Sequence, residues 1–228
     1  MSQSRPPAAD QPDAASPTPR AASGARSLPS DGSRERIHAA ARSLISRYGF
    51  DGVSLQTLAD EVGLHKSTLF HHYKNKQQIA EEVLSDTVAA IVERMRPLEQ
   101  PPTSLEQLLE LSDVLVDHFS DQPDAARLLL AAMVAPEDSA VHHAGARSGS
   151  VERFYVVLFG WLRQARDLGV VRHVSIRQAV FSLMGLMLVY PAVAEVEQVV
   201  IGPEPFSDSS RRMRKQMLRA ALSGMLRP

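Results

Sequence analysis

From residue 34 to residue 226 the apolar side chains recur every three or four positions, and no stretch alternates apolar and polar residues over the length of a strand. Ile37, Ala41, Leu44, Ile45 and Tyr48 set the pattern at i, i+4, i+7, i+8 and i+11, the rhythm of one buried helix face. No Asn-Gly hairpin separates two such runs. The expected class is therefore all-α, with about nine helices and no internal repeat.

Punctuation residues divide the pattern. Gly49 and Gly52 bracket a first turn. Ser54 is an N-cap for a short second helix with Leu55, Leu58, Ala59 and Val62 as its apolar stripe. Gly63 is placed to take the left-handed C′ conformation, and Leu64 to fill the angle that follows. A third helix is predicted over about 65–73, with Leu69, Phe70 and Tyr73 inward. A fourth opens after Asn75, with Gln78 reciprocating the cap, and runs to about Met95 before Pro97, Pro101 and Pro102. Further helices begin at Ser104 and near Pro123. Residues 137–150 read as a polar loop. A long helix then carries Phe154, Val157, Leu158, Trp161, Leu162 and Ala165 to Gly169. Ser175 starts an apolar helix reaching Ala194, and a last helix over 208–226 puts Met213, Met217, Ala221, Leu222 and Met225 on one side. Arg211, Arg212, Arg214, Lys215 and Arg219 are expected opposite that stripe, as a solvated face.

Composition narrows the chemistry. The chain has 228 residues and no cysteine, which removes disulfides, thiolate metal sites and a cysteine nucleophile. Pro, Ala, Ser and Gly dominate residues 1–33 without apolar periodicity, so this extension is expected to be disordered. It contains no apolar signal-peptide core. The charge-free run 178–194 falls short of the roughly 18–20 residues a bilayer span needs. A cytoplasmic protein without membrane attachment is expected. His71 and His72 point about 100° apart on a helix and are poorly placed to share an ion. His142 and His143 lack a further ligand at helical spacing. No nucleophile–base spacing, phosphate loop or carboxylate–histidine pattern suggests catalysis, a metal or a cofactor.

Charge is unevenly spread. Residues 34–80 hold seven Lys and Arg against four Asp and Glu, whereas 81–228 carry an acidic excess, although the net charge of the whole is −1. A small basic front on an acidic body suits contact with phosphate at one end only. Residues 54–76 read as helix, glycine turn and helix. The outer face of the second carries Lys66, Ser67, Thr68, His71 and His72, side chains able to donate to phosphates and base edges.

Ser54-Leu55, Leu58-Ala59, Gly63-Leu64, the run Thr68 to Tyr73 and Lys76 resemble the N-terminal signature of the tetracycline-repressor (TetR) family. The likeness covers about a quarter of the chain. Phe70 departs from it, standing where a tyrosine is usual and removing one phosphate hydrogen bond. His65 departs too, where a capping serine is common. The resemblance implies residues 34–80 as a helix-turn-helix DNA-binding domain and 81–228 as a ligand-binding and dimerisation domain. By position it puts Ser54 and Gln56 near the DNA backbone and Lys66, Ser67, Thr68 and His71 on the recognition helix. His72, Tyr73 and Lys76 fall at phosphate-contacting or positioning sites. It further implies a homodimer on double-stranded operator DNA, released by a small-molecule effector, here expected to be apolar. The last two helices of each subunit would form a four-helix interface holding the heads about 34–36 Å apart. An all-helical enzyme, or a sensor that works through protein contacts alone, are the competing classes.

Overall fold

The computed structural model describes residues 30–95, 102–194, 202 and 204–228. Residues 1–29 of the expected N-terminal extension lie outside the described residues. Ten helices and no strand occur among the described residues. They are α1 (Ser30–Gly52), α2 (Leu55–Val62), α3 (Lys66–His72), α4 (Lys76–Met95) and α5 (Leu105–Asp121), followed by α6 (Pro123–Val134), α7 (Ala140–Ser148), α8 (Ser150–Asp167), α9 (Ile176–Val193) and α10 (Asp208–Leu226). The all-α expectation holds. The extra helix is α7, within the stretch expected to be a polar loop. Ser139 caps it by accepting from the His142 N–H, and its packing against α4 compensates for a weak apolar pattern.

Helices α1 to α3 form the head and α5 to α10 the body, with α4 serving both. α4 packs on α1, α7, α8 and α5, and α1 also lies along α6. One apolar cluster consequently runs from Ile37, Ala41 and Leu69 in the head through Val83, Leu84 and Ile91 of α4 to Phe119, Leu128, Leu188 and Leu222 in the body. The boundary expected at residue 80 falls inside α4. Polar links run beside this core. Ser46 of α1 donates to Asp124 of α6 (2.8 Å), Asp124 accepts from Arg127 (2.8 Å), and Arg127 Nε donates to the Ala192 carbonyl of α9 (2.9 Å).

Three expectations about faces are corrected. Tyr48, placed on the buried stripe of α1, is 65% exposed, because the helix breaks at Gly49 (φ 72°, ψ 166°) just beyond it. The expected stripe of α10 is split: Leu222 is buried, with Leu218 and Leu226, and Met225 is partly buried, while Met213 and Met217 stand in the open. Much of the basic face is engaged with α5. Arg211 meets Asp121 (2.6 Å), Lys215 meets Asp117 (2.6 Å), and Arg219 bridges Asp113 (2.8 Å) and Glu106 (2.6 Å). Partly exposed pairs of this kind contribute about 0.2–1 kcal/mol each.

The length argument against a membrane span is also revised. α9 reaches 18 residues and is the one described helix long and apolar enough to cross a bilayer by length and composition. Ala179, Val180, Met184, Met187, Leu188, Pro191 and Ala192 are nonetheless buried against other helices, so its apolarity serves the protein core. Pro191, which removes a helical hydrogen bond, lies in the last turn, where that loss is least disruptive.

His118 on α5 is 1% exposed, and neither ring nitrogen has a hydrogen-bond partner. Burial, reinforced by Arg94 and Arg42, holds its pKa below the ordinary histidine value. The folded protein thus keeps His118 neutral while the unfolded chain takes up a proton, and stability falls as pH drops below the unfolded value of about 6.5. Urea denaturation should give a lower midpoint at pH 5.5 than at pH 7.5, and His118→Leu should reduce that difference.

Candidate nucleic-acid interface

The geometry of the head follows from one glycine and two buried side chains. At Gly63 (φ 66°, ψ 36°) the chain enters the left-handed region, open to glycine without a Cβ penalty. Its N–H bonds the Asp60 carbonyl (3.2 Å), and the Leu64 N–H bonds the Ala59 carbonyl (2.9 Å), closing the end of α2. Arg36 of α1 donates to the Val62 carbonyl (2.6 Å), adding a side-chain partner at the same end. At the start of α2 the Ser54 hydroxyl accepts from the Thr57 N–H (2.9 Å), as its cap role predicts. His65 begins α3 without a side-chain cap, in line with the missing serine.

α3 is seated by Leu69 and Tyr73, each 1% exposed. The Tyr73 N–H ends the helix on the Leu69 carbonyl (2.8 Å). Its ring lies among His38 of α1 (5.9 Å between centroids), Arg34 (5.6 Å from the guanidinium carbon) and His72. Burial pushes the Tyr73 phenol up in pKa, partly opposed by Arg34. Around this ring α1 is tied to α4: Arg34 meets Glu82 (2.8 Å), and His38 meets Asp86 (2.5 Å).

The opposite side of α3 is open. Lys66, Ser67 and His71 are exposed, and Thr68 and His72 are partly so. Ser54 and Gln56 are exposed at the start of α2, with Gln56 donating to Asp60 (2.8 Å). Tyr73 and Lys76 sit differently. Tyr73 is interior, and the Lys76 ammonium is engaged by the Phe50 and Val53 carbonyls. Phe70, expected inside, is 51% exposed; at i+4 from Lys66 its ring lies 6.0 Å from that ammonium. The seven-residue helix turns so that Leu69 and Tyr73 fill the seat, leaving Phe70 on the outer flank. Thr57 and Lys74 are likewise exposed on this part of the head. Sequence pattern gives no reason to single them out, since Thr57 falls between apolar helix positions and Lys74 is one charge among several.

Fold and surface together define an all-helical protein with an N-terminal helix-turn-helix. Residues 37–83 match the family model described as bacterial regulatory proteins, tetR family, so this N-terminal part of the chain is similar to that family. It is 33% identical over 79 residues to the HTH-type transcriptional repressor KstR2 of Mycolicibacterium smegmatis, a match covering 34% of this chain and 38% of that protein. Over the whole fold it is similar to the regulator FadR of Bacillus subtilis crystallised with stearoyl-CoA (TM-score 0.61, 16% identity, covering 84% of this chain and 98% of the other). It is also similar to AibR in complex with isovaleryl coenzyme A and operator DNA (TM-score 0.63, 18% identity, covering 86% and 99%).

Proposed function

We propose that this chain is a homodimeric transcriptional repressor that binds operator DNA through α3 and is released when a small apolar effector enters the body. The observation that carries the DNA-binding part is the two-sidedness of α3. Leu69 and Tyr73 are buried, while Lys66, Ser67 and His71 face outward beside the exposed cap of α2. Residues 34–80 act as the DNA-binding unit and 81–228 as the effector and dimer unit. Ser54 and Gln56 meet the DNA backbone, and Lys66, Ser67, Thr68 and His71 enter the major groove. His72 flanks them, and Tyr73 holds the helix in position from inside. Phe70 adds an apolar contact of the kind that suits a thymine methyl.

Dimer formation is supported by the outer faces of α9 and α10. Phe181 and Val189 on α9, and Met213 and Met217 on α10, are exposed large apolar residues. Gly185 stands between the first two with open space around it, suited to close approach by a second helix. A regulator of this kind works where the chromosome is, in the cytoplasm, and needs no catalytic group.

Effector binding is supported by an apolar cavity of about 50 Å³ between α5, α8, α9 and α10. Trp161, Met184 and Met187 line it with leucines from all four helices, and Ser112 is its one hydroxyl. That hydroxyl is already donated to the Leu109 carbonyl (2.7 Å). Such walls suit a hydrocarbon group, and the stearoyl-CoA and isovaleryl coenzyme A of the two structural relatives belong to the same chemistry. The cavity must widen to admit one, which adaptable methionines permit. An effector that binds the widened state better draws the population away from the DNA-competent one.

Gel-shift titration with DNA from upstream of the chain's own gene tests the reading, with acyl-CoA thioesters of graded chain length as effectors. A long-chain thioester should release the DNA and free coenzyme A should not. Operator DNA should weaken effector binding by the same factor by which effector weakens operator binding. Lys66→Ala should alter preference at one base pair per half-site, by about 1–3 kcal/mol if the ammonium reads guanine.

A further inference from the structure

Lys76 is the first residue of α4, yet its side chain reaches back to the corner between α1 and α2. Its ammonium donates to the Phe50 carbonyl at 2.8 Å and to the Val53 carbonyl at 2.9 Å, and lies 4.1 Å from the centroid of the Phe50 ring. Two of its three N–H donors are thereby spent on main-chain oxygens. The charge also rests on an aromatic face. Phe50 and Val53 are both buried, and Val53 immediately precedes Ser54, the cap of α2. A cation at the first turn of a helix is disfavoured by the helix dipole. At this position the carbonyls and the ring supply the compensation.

We propose that Lys76 is a positioning residue, an internal clasp that fixes the α2–α3 pair against α4, and not a phosphate ligand. This rests on the DNA-binding reading above only for its consequence, not for its geometry. α3 is held at its front by the Gly63 turn and at its back by Tyr73, and both attachments depend on where α2 and α4 lie. The Lys76 side chain links α4 directly to the residue before α2 begins, so a shift of the α4 N-terminus is carried to the start of the helix-turn-helix. The same geometry leaves Lys74, two residues earlier, as the exposed cation beside the end of α3, with no partner for its ammonium among the described residues.

The two roles separate in salt titrations of operator binding. Removing one phosphate-bound cation lowers the slope of log K against log salt by about 0.9. With full-length protein between 50 and 300 mM salt, Lys76→Ala should weaken operator binding at least tenfold at every salt concentration with the slope unchanged. It should also shrink the ratio of operator to random-sequence affinity. Lys74→Ala should lower the slope and leave that ratio intact. A Lys76→Ala slope reduced by about one per subunit, or an unchanged ratio, overturns the clasp.

Amine acetylation of the unmodified protein, read by mass spectrometry, gives an answer that does not depend on any variant folding. Lys76 should label several-fold more slowly than Lys66 and Lys74 without DNA, and adding operator should change its rate little. Labelling of Lys76 as fast as Lys74, slowed by operator, refutes the proposal. Failure of the wild-type protein to bind any upstream DNA would count against the repressor reading while leaving the acetylation result to decide the clasp.

Discussion

A seven-residue helix cannot sustain itself in water, because the cost of forming its first turn is not recovered over so few hydrogen bonds. α3 exists because Leu69 and Tyr73 are buried and because the turns on either side are closed. Everything the head presents to solvent inherits its direction from that seat. The polar side chains that would meet DNA make little of the fold, and the apolar side chains that make the fold are hidden from DNA.

That seat is not assembled by the head alone. Arg34 and His38 of α1 are paired with Glu82 and Asp86 of α4 around the Tyr73 ring, and α7 is joined to α4 by the Arg147–Glu81 ion pair. Gly145 of α7 sits against Leu84, where an added Cβ would lie 3.4 Å from its methyl carbon. A change in the body that moves α7 or α8 therefore meets α4 directly. α4 in turn borders the Tyr73 ring and carries Lys76. This contiguity gives the proposed effector control a physical route, because a packed helix moves as a body rather than bending locally.

Much of this was legible in the sequence. Capping residues at Ser54 and Ser104 and the glycine at 63 act as their types require, and of the expected α2 stripe Leu58, Ala59 and Val62 are buried and Leu55 partly so. What escaped has definite causes. α7 has too few apolar residues to announce itself and is held by the groove it occupies. Phe70 and Tyr48 are large and apolar, but one sits on a helix too short to bury three aromatic or aliphatic anchors and the other stands at a helix break. The arginines and lysine of α10 read as a solvated face because their acidic partners lie some 90 to 113 residues away on α5. Which of the two implied roles suits Lys76 was open for a different reason: the acceptors of its ammonium are main-chain oxygens, which no side-chain pattern records.

The sharing of α4 also bears on how the molecule comes apart. Ile79, Ala80, Val83 and Leu84 contribute to a single apolar mass that joins both ends of the described chain. Cutting at residue 80 would strip α1 of the partner for Arg34 and His38 and leave oily flanks bare on both fragments. The helix-turn-helix end is thus not a detachable module, and unfolding should proceed as one cooperative event rather than end by end.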